Sequence, residues 1–180
     1  LNADGEINSN DATRDIGYTD MPEYTAGLNT GFSWKNFDFS MQWTGAWNVD
    51  RMLDEFRRPL GDTNEKGLLL YQYDTTWRSS ADTFTAKFPR TSSLHASNNY
   101  AGFDLYLINA SYLRLKSVEI GYNFNFPFMK KLKMDNCRLY VNGYNLITIT
   151  GFKWGDPESR QSSRPNYPLT RVFNIGLKLG

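Results

Sequence analysis

From Tyr24 to Trp34 the side chains alternate with a period of two. Tyr24, Ala26, Leu28, Thr30, Phe32 and Trp34 share one parity, and Thr25, Gly27, Asn29, Gly31 and Ser33 the other. Successive side chains of an extended strand point to opposite faces, so this run has one bulky face and one small or polar face. The pattern breaks at Lys35-Asn36 and restarts, with Phe37, Phe39, Met41, Trp43, Gly45 and Trp47 opposing Asp38, Ser40, Gln42, Thr44 and Ala46. Two turn-prone residues between two such runs predict a tight hairpin. Each run, 24–34 and 37–47, is about 11 residues long, enough for a tilted strand to cross a bilayer, whereas soluble strands usually have about 5 or 6. Trp34, Phe37 and Trp47 fall near the run ends, where interfacial aromatics belong.

The alternation lapses over 48–110, where Gly61-Asp62, Ser79-Ser80, Pro89 and Ser97-Asn98-Asn99 punctuate a polar stretch, read as one long elaborated loop. It returns at 112–124, where Val118, Ile120, Tyr122 and Phe124 oppose Ser117, Glu119, Gly121 and Asn123. Strict counting puts Arg114 and Lys116 on the apolar parity, tolerable only near a membrane surface, because a cation facing lipid at the midplane costs roughly 2 to 4 kcal/mol. A basic connector with Pro127 leads to a strand over 137–147, in which Leu139 and Val141 oppose Arg138, Tyr140, Asn142 and Tyr144. A second polar loop, 148–169, precedes a last strand over 171–180, with Phe173, Ile175, Leu177 and Leu179 on one parity. The expectation is an all-β chain of about five strands with alternately short and long connectors, the asymmetry of an outer-membrane barrel with short periplasmic turns and long extracellular loops.

Composition agrees with strands rather than membrane helices. Aromatics make up 16% of residues although mean hydropathy is -0.56, as happens when averaging over two unlike faces hides an apolar stripe. No stretch approaches the roughly 18 consecutive apolar residues of a transmembrane helix, and Leu1 does not open a signal peptide. Twenty basic and 19 acidic residues are mixed along the chain, which gives no support to nucleic acid as a partner. Cys137 is the sole cysteine, which excludes an internal disulfide and a multi-cysteine zinc site. Five strands cannot close a barrel, which needs at least about 8, and an open sheet in lipid would leave edge hydrogen bonds unmet, so a fragment or a part of an assembly is expected.

Residues 1–11 read Leu-Asn-Ala-Asp-Gly-Glu-Ile-Asn-Ser-Asn-Asp. If the residue preceding Leu1 takes position one of an EF-hand-like loop, Asn2 falls at position 3, Asp4 at 5, Gly5 at the turn, Glu6 at the backbone-carbonyl position, Asn8 at 9 and Asp11 at 12. Hard oxygen ligands at that spacing would wrap Ca²⁺. The competing reading is a polar turn, which Asn, Asp and Gly form without metal. No cofactor is otherwise required.

Several stretches, in order, resemble the late barrel of SusC/RagA-type TonB-dependent transporters. They are the opening Asn-x-Asp-Gly-x-Ile-Asn, Asp15-Ile16-Gly17-Tyr18, Pro22-Glu23-Tyr24, Trp34-Lys35-Asn36-Phe37-Asp38-Phe39-Ser40 and Phe88-Pro89-Arg90. The series continues with Ser111 to Tyr122, Arg138 to Leu146, Gly155-Asp156-Pro157-Glu158, Tyr167-Pro168 and Arg171 to Leu177. The resemblance implies the C-terminal wall of a barrel of about 22 strands in the outer membrane of a Gram-negative bacterium. It further implies a plug, a SusD-type surface lipoprotein partner, the TonB complex reached through regions outside this chain, and import of oligosaccharides or peptides. Barrels of this kind usually end in an aromatic. A Phe following Gly180 would share the parity of Phe173 to Leu179, and the natural chain is expected to run one residue further.

His95 lies in a polar loop beside Ser92, Ser93 and Ser97 without a nucleophile-elbow motif, and Cys137 at a strand start reads as a packing residue, so no catalytic residue is assigned and no enzyme is expected. Tyr71, Tyr73, Trp77 and Trp154 are loop aromatics that could stack on sugar rings, contact the partner lipoprotein or pack within their loops. Gln42, Glu119 and Asn142 fall on the lumen-facing parity, either as a solute surface or as ordinary interior hydrogen bonding. The alternative of another class is a soluble β-sandwich such as a carbohydrate-binding module, burying the aromatic face against a second sheet. A polysaccharide hydrolase would require two carboxylates across a cleft, and no motif places them.

Overall fold

The computed structural model describes residues 8–13, 16–53, 67–91, 99, 104–125, 127, 136–159 and 169–180. Its strands are β1 (Tyr24–Trp34), β2 (Phe37–Trp47), β3 (Asp50–Met52), β4 (Leu107–Asn109), β5 (Tyr112–Phe124), β6 (Cys137–Thr150) and β7 (Val172–Leu179), and a short α-helix, α1 (Leu70–Thr75), lies between β3 and β4. The chain divides into two compact units. One gathers Pro22–Asn48, Ala110–Glu158 and Tyr167–Gly180, the other Leu1–Met21, Val49–Asn109 and Ser159–Asn166.

The first unit is a five-stranded antiparallel sheet in the order β1-β2-β5-β6-β7. Lys35 enters the β1–β2 turn at φ 56°, with its ammonium 4.7 Å over the Trp34 ring. At the other end of this hairpin Asn48, also at positive φ, donates from Nδ2 to Glu23 Oε2 at 2.8 Å and tethers the strand ends. Asn136 and Gly180 exchange backbone hydrogen bonds at 2.9 Å, continuing the β6–β7 ladder by one pair. β6 runs to Thr150, three residues past the expected stop at 147, so the following loop starts later than expected.

Register shows where strict period-two counting fails. On one face Leu28 pairs with Trp43, Phe32 with Phe39, Phe39 with Ile120, Ile120 with Val141, and Val141 with Ile175. Along β5, however, Ser117 pairs with Gln42 while Leu115 pairs with Trp43, so Lys116 is the extra residue of a β-bulge. The parity of β5 changes there. Leu113 and Leu115 join the apolar face, and Arg114 crosses to the polar face opposite Thr44 and Thr148. The expectation that Arg114 and Lys116 share the apolar parity is therefore corrected: Arg114 faces inward, and Lys116 is the residue that makes the change.

The second unit corrects the reading of 48–110 as a single loop. β3 and β4 pair in antiparallel fashion, and Leu53 N–H donates to the Tyr106 carbonyl at 2.8 Å. Val49, Leu53 and Tyr106 are buried. Asp50 organises this small core by accepting from Tyr18 N–H at 2.7 Å and from Asn109 Nδ2 at 3.2 Å, while Arg51 donates to the Asp20 carbonyl. These bonds fasten residues 18–20 to β3 and β4. α1 buries Gln72, whose Oε1 accepts from Leu69 N–H at 3.1 Å. Alternation counting passed over these elements because strands of three residues show no period.

Candidate functional site

The two faces of the five-stranded sheet have opposite characters. Leu28, Phe32, Phe37, Ile120, Val141, Phe173, Ile175 and Leu177 lie on the apolar face and are exposed among the described residues. Against the other face the strands present Asp38, Ser40, Gln42, Thr44, Arg114, Ser117, Glu119, Arg138, Tyr140, Asn142 and Asn174, brought together by register.

Towards the β1–β2 turn this inner face carries a hydrogen-bonded chain across four strands. Arg138 on β6 donates from Nε to Asp38 Oδ1 on β2 at 3.1 Å, and its Nη2 serves both the second Asp38 oxygen and Glu119 Oε1 on β5, the latter at 2.7 Å. Glu119 Oε2 accepts from Asn142 Nδ2 at 3.2 Å, and Asn142 Oδ1 accepts from Asn174 Nδ2 on β7 at 2.9 Å. Asn123 completes Asp38 at 3.3 Å. Two glycines make the chain fit. A Cβ on Gly121 would collide with the Arg138 guanidinium, and one on Gly176 with the Tyr140 ring, so both large side chains lie flat across neighbouring strands.

Towards the opposite end Arg114 is clamped. Its side chain is 2% exposed and bridges Asp156 at 2.6 Å and Glu158 at 2.8 Å, while Nε donates to Thr148 Oγ1 at 3.1 Å. The guanidinium also sits 5.4 Å from the Tyr112 ring. Phe152 and Pro157 are buried in the same segment. Residues 151–158 are thus held against the inner face by an ion cluster, with Phe152 and Pro157 buried. Such charges need every partner in place, because a buried ion without one is strongly destabilising.

The sequence candidates separate accordingly. Glu119 and Asn142 belong to the inner chain of hydrogen bonds, whereas Gln42 lies between the two charged clusters with Asn29, Ser40 and Ser117. Tyr71 packs edge-on against Phe88, and Phe88 stacks near Tyr106. Lys87 Nζ approaches the Tyr71 hydroxyl at 3.5 Å. Tyr73 is half-exposed beneath the Arg78 guanidinium, and Trp77 donates its backbone N–H to the Phe88 carbonyl. Trp154 sits on the clamped segment 151–158 and is partly buried. Asn2, Asp4, Glu6 and His95 lie outside the described residues. Asn8 and Asp11 close a turn on each other, with Asn8 Oδ1 accepting from Asn10 N–H and Asp11 Oδ2 from Asn8 N–H at 3.0 Å. Cys137 is half-buried at the start of β6. The residues missed from sequence were Asp38, Arg138 and Arg114 with its two carboxylates. Opposite charges on one parity were visible; the register joining them was not.

No family model matches the chain. Across 99% of its length the chain is 29% identical to TonB-dependent receptor P3 of Formosa agariphila and 27% identical to TonB-dependent receptor SusC of Bacteroides thetaiotaomicron. It covers 18% and 17% of those proteins, so it spans less than a fifth of the length of these curated relatives. Among solved structures, the RagAB peptide importer in its closed-closed state superposes with a TM-score of 0.73 over 98% of this chain and 20% of that one. The RagAB peptide transporter does so with a TM-score of 0.71 over 91% and 18%. Both are 20% identical, and the likeness is one of fold: an antiparallel sheet matching part of a RagA-type barrel.

Proposed function

We propose that this chain, a SusC/RagA-type TonB-dependent receptor segment by its relatives and its fold, forms the C-terminal wall of an outer-membrane importer in a Gram-negative bacterium. The observation that carries the reading is the contrast between faces. Large apolar side chains stand exposed along the sheet, in which β1, β2, β5 and β6 have membrane-spanning length, with Leu28 59%, Phe32 62% and Ile175 78% exposed, while Asp38, Arg114, Glu119 and Arg138 on the opposite face are paired with opposite charges. Lipid satisfies the first face and a hydrated lumen the second. A β-sandwich would bury the aromatic face beneath a second sheet, and in the described residues of this unit that face is uncovered.

In this reading the short turns face the periplasm, the long connectors face outward, and solute crosses the lumen when the TonB complex acts on a plug. A SusD-type lipoprotein covers the outer mouth, and the cargo is an oligosaccharide or a peptide. The importer itself performs no covalent chemistry. Expressing the parent gene tests the location: the product should require detergent to leave the outer-membrane fraction, and recovery as a soluble monomer would overturn it. The N-terminal loop, in the same reading, binds Ca²⁺ through Asn2, Asp4, Glu6, Asn8 and Asp11, with Asp11 giving up part of its bond to Asn8 N–H. Calorimetric titration of the intact receptor should show binding heat that Asp4→Ala removes. Absence of heat in the unaltered receptor would refute it.

A further inference from the structure

Between the charged clusters, the inner face holds a shallow depression of about 460 Å³ lined by Asn29, Thr30, Gly31, Ser40, Met41, Gln42 and Ser117. Asn29, Gly31, Ser40, Gln42 and Ser117 are on the inner parity, and Gln42 and Ser117 are a register pair. The depression borders the β-bulge at Lys116, the point where β5 changes parity. Bulges are enriched beside functional sites because they re-aim side chains.

The polar groups here differ from their neighbours in being unused. Among the described residues the side chains of Asn29, Ser40, Gln42 and Ser117 make no hydrogen bond, whereas Arg114 above and Asp38, Glu119 and Arg138 below spend their capacity on one another. The floor is a glycine: Gly31 leaves the backbone of Ser40 and Phe39 open where a side chain would stand. Two carboxamides and two hydroxyls offer both donors and acceptors and no net charge.

We propose that this depression is a solute-binding step on the lumen wall, taking a neutral, hydrogen-bonding segment of the cargo, either sugar hydroxyls or peptide amides. It deepens the importer reading above and rests on it. Each flanking cluster sets one arginine against two carboxylates, so no excess of positive charge beside the site draws an anionic ligand, and the lining itself is uncharged. Selection comes from matching donors and acceptors against a small, flat floor. A site this shallow holds its ligand weakly, and a transported solute must also leave.

The test uses the full-length receptor in outer-membrane vesicles, with Gln42→Cys labelled by a membrane-impermeant maleimide, and Ile120→Cys, on the apolar face, as a second position. Maltohexaose and an uncharged capped hexapeptide of Gly, Ser and Asn are the two probes. Labelling at position 42 is expected without probe and slowed several-fold by one of them, and which one identifies the cargo chemistry. Ser117→Val in the same background should weaken that protection about fivefold, the effect of losing roughly one hydrogen bond. Position 42 reacting equally with and without both probes, or failing to react at all, overturns the proposal. Rapid labelling at position 120 would instead show that the barrel reading itself is wrong.

Discussion

Met41 and Gln42 are neighbours on β2, yet they belong to different solvents. Met41 lies in a row with Thr30 and Val118 on the face that lipid covers in the proposed barrel, and Gln42 in a row with Asn29 and Ser117 on the face that water covers. The outer face is joined by aromatic contacts, Phe32 with Phe39 and Phe37 with Tyr122, and its exposed apolar surface depends on its surroundings. The inner face carries its own cross-links. The polar cross-links therefore reside in the inner face, and solvent selection in the outer one.

The largest expected effect comes from breaking the inner face at its driest point. Arg114→Leu leaves Asp156 buried without its cation and should cost about 3 to 5 kcal/mol in denaturant unfolding of the full receptor. Arg138→Leu, in a half-exposed cluster, should cost distinctly less, so the comparison of the two variants reads burial directly. Next is the outer face: Met41→Arg should cost roughly 2 to 4 kcal/mol when folding into lipid vesicles is followed, against a near-neutral Gln42→Arg. Equal costs at the two positions would break the comparison. Gly176→Ala, which pushes the tip of the Tyr140 ring off its neighbouring strand, should cost less, about 1 kcal/mol, because the ring is half-exposed and can move, seen as a slightly lowered unfolding midpoint.

The smallest effect lies outside the sheet. Asp82 accepts backbone N–H bonds from Arg78 and Ser79, and these hold its carboxyl below the usual range. A lowered folded-state pKa means the contribution is present above the unfolded value and is lost as pH falls through the folded one. Limited proteolysis should accordingly show 78–86 opening only below about pH 4, in the range where free carboxylates protonate. Asp82→Ala should open the same turn at neutral pH.

How much was legible in the sequence depended on the distance between partners. The β1–β2 hairpin is local, and alternation plus a two-residue turn fixed its register. Asp38 and Arg138 lie 100 positions apart, and the connectors between them leave register undetermined, so their ion pair required the fold. The bulge at Lys116 is an intermediate case. Leu113 and Leu115 run on one phase, Val118 and Ile120 on the other, and that slip was present in the sequence. Counting backwards from Phe124 without allowing an insertion placed Arg114 on the wrong face. The carboxylates of Asp156 and Glu158 in the following loop could have signalled the error, since an inward Arg needs such partners.

The most direct test of the account is a lipid-contact scan along β5 in the full receptor. Each residue from Tyr112 to Tyr122 is replaced in turn by a Cys carrying an environment-sensitive fluorophore, in vesicles containing brominated lipid. Quenching is expected at 113, 115, 118, 120 and 122 and not at 112, 114, 117, 119 and 121, so the alternation changes phase at Lys116. An unbroken period of two through position 116, or no quenching at any position, would contradict a membrane wall whose inner charges are gathered by that bulge.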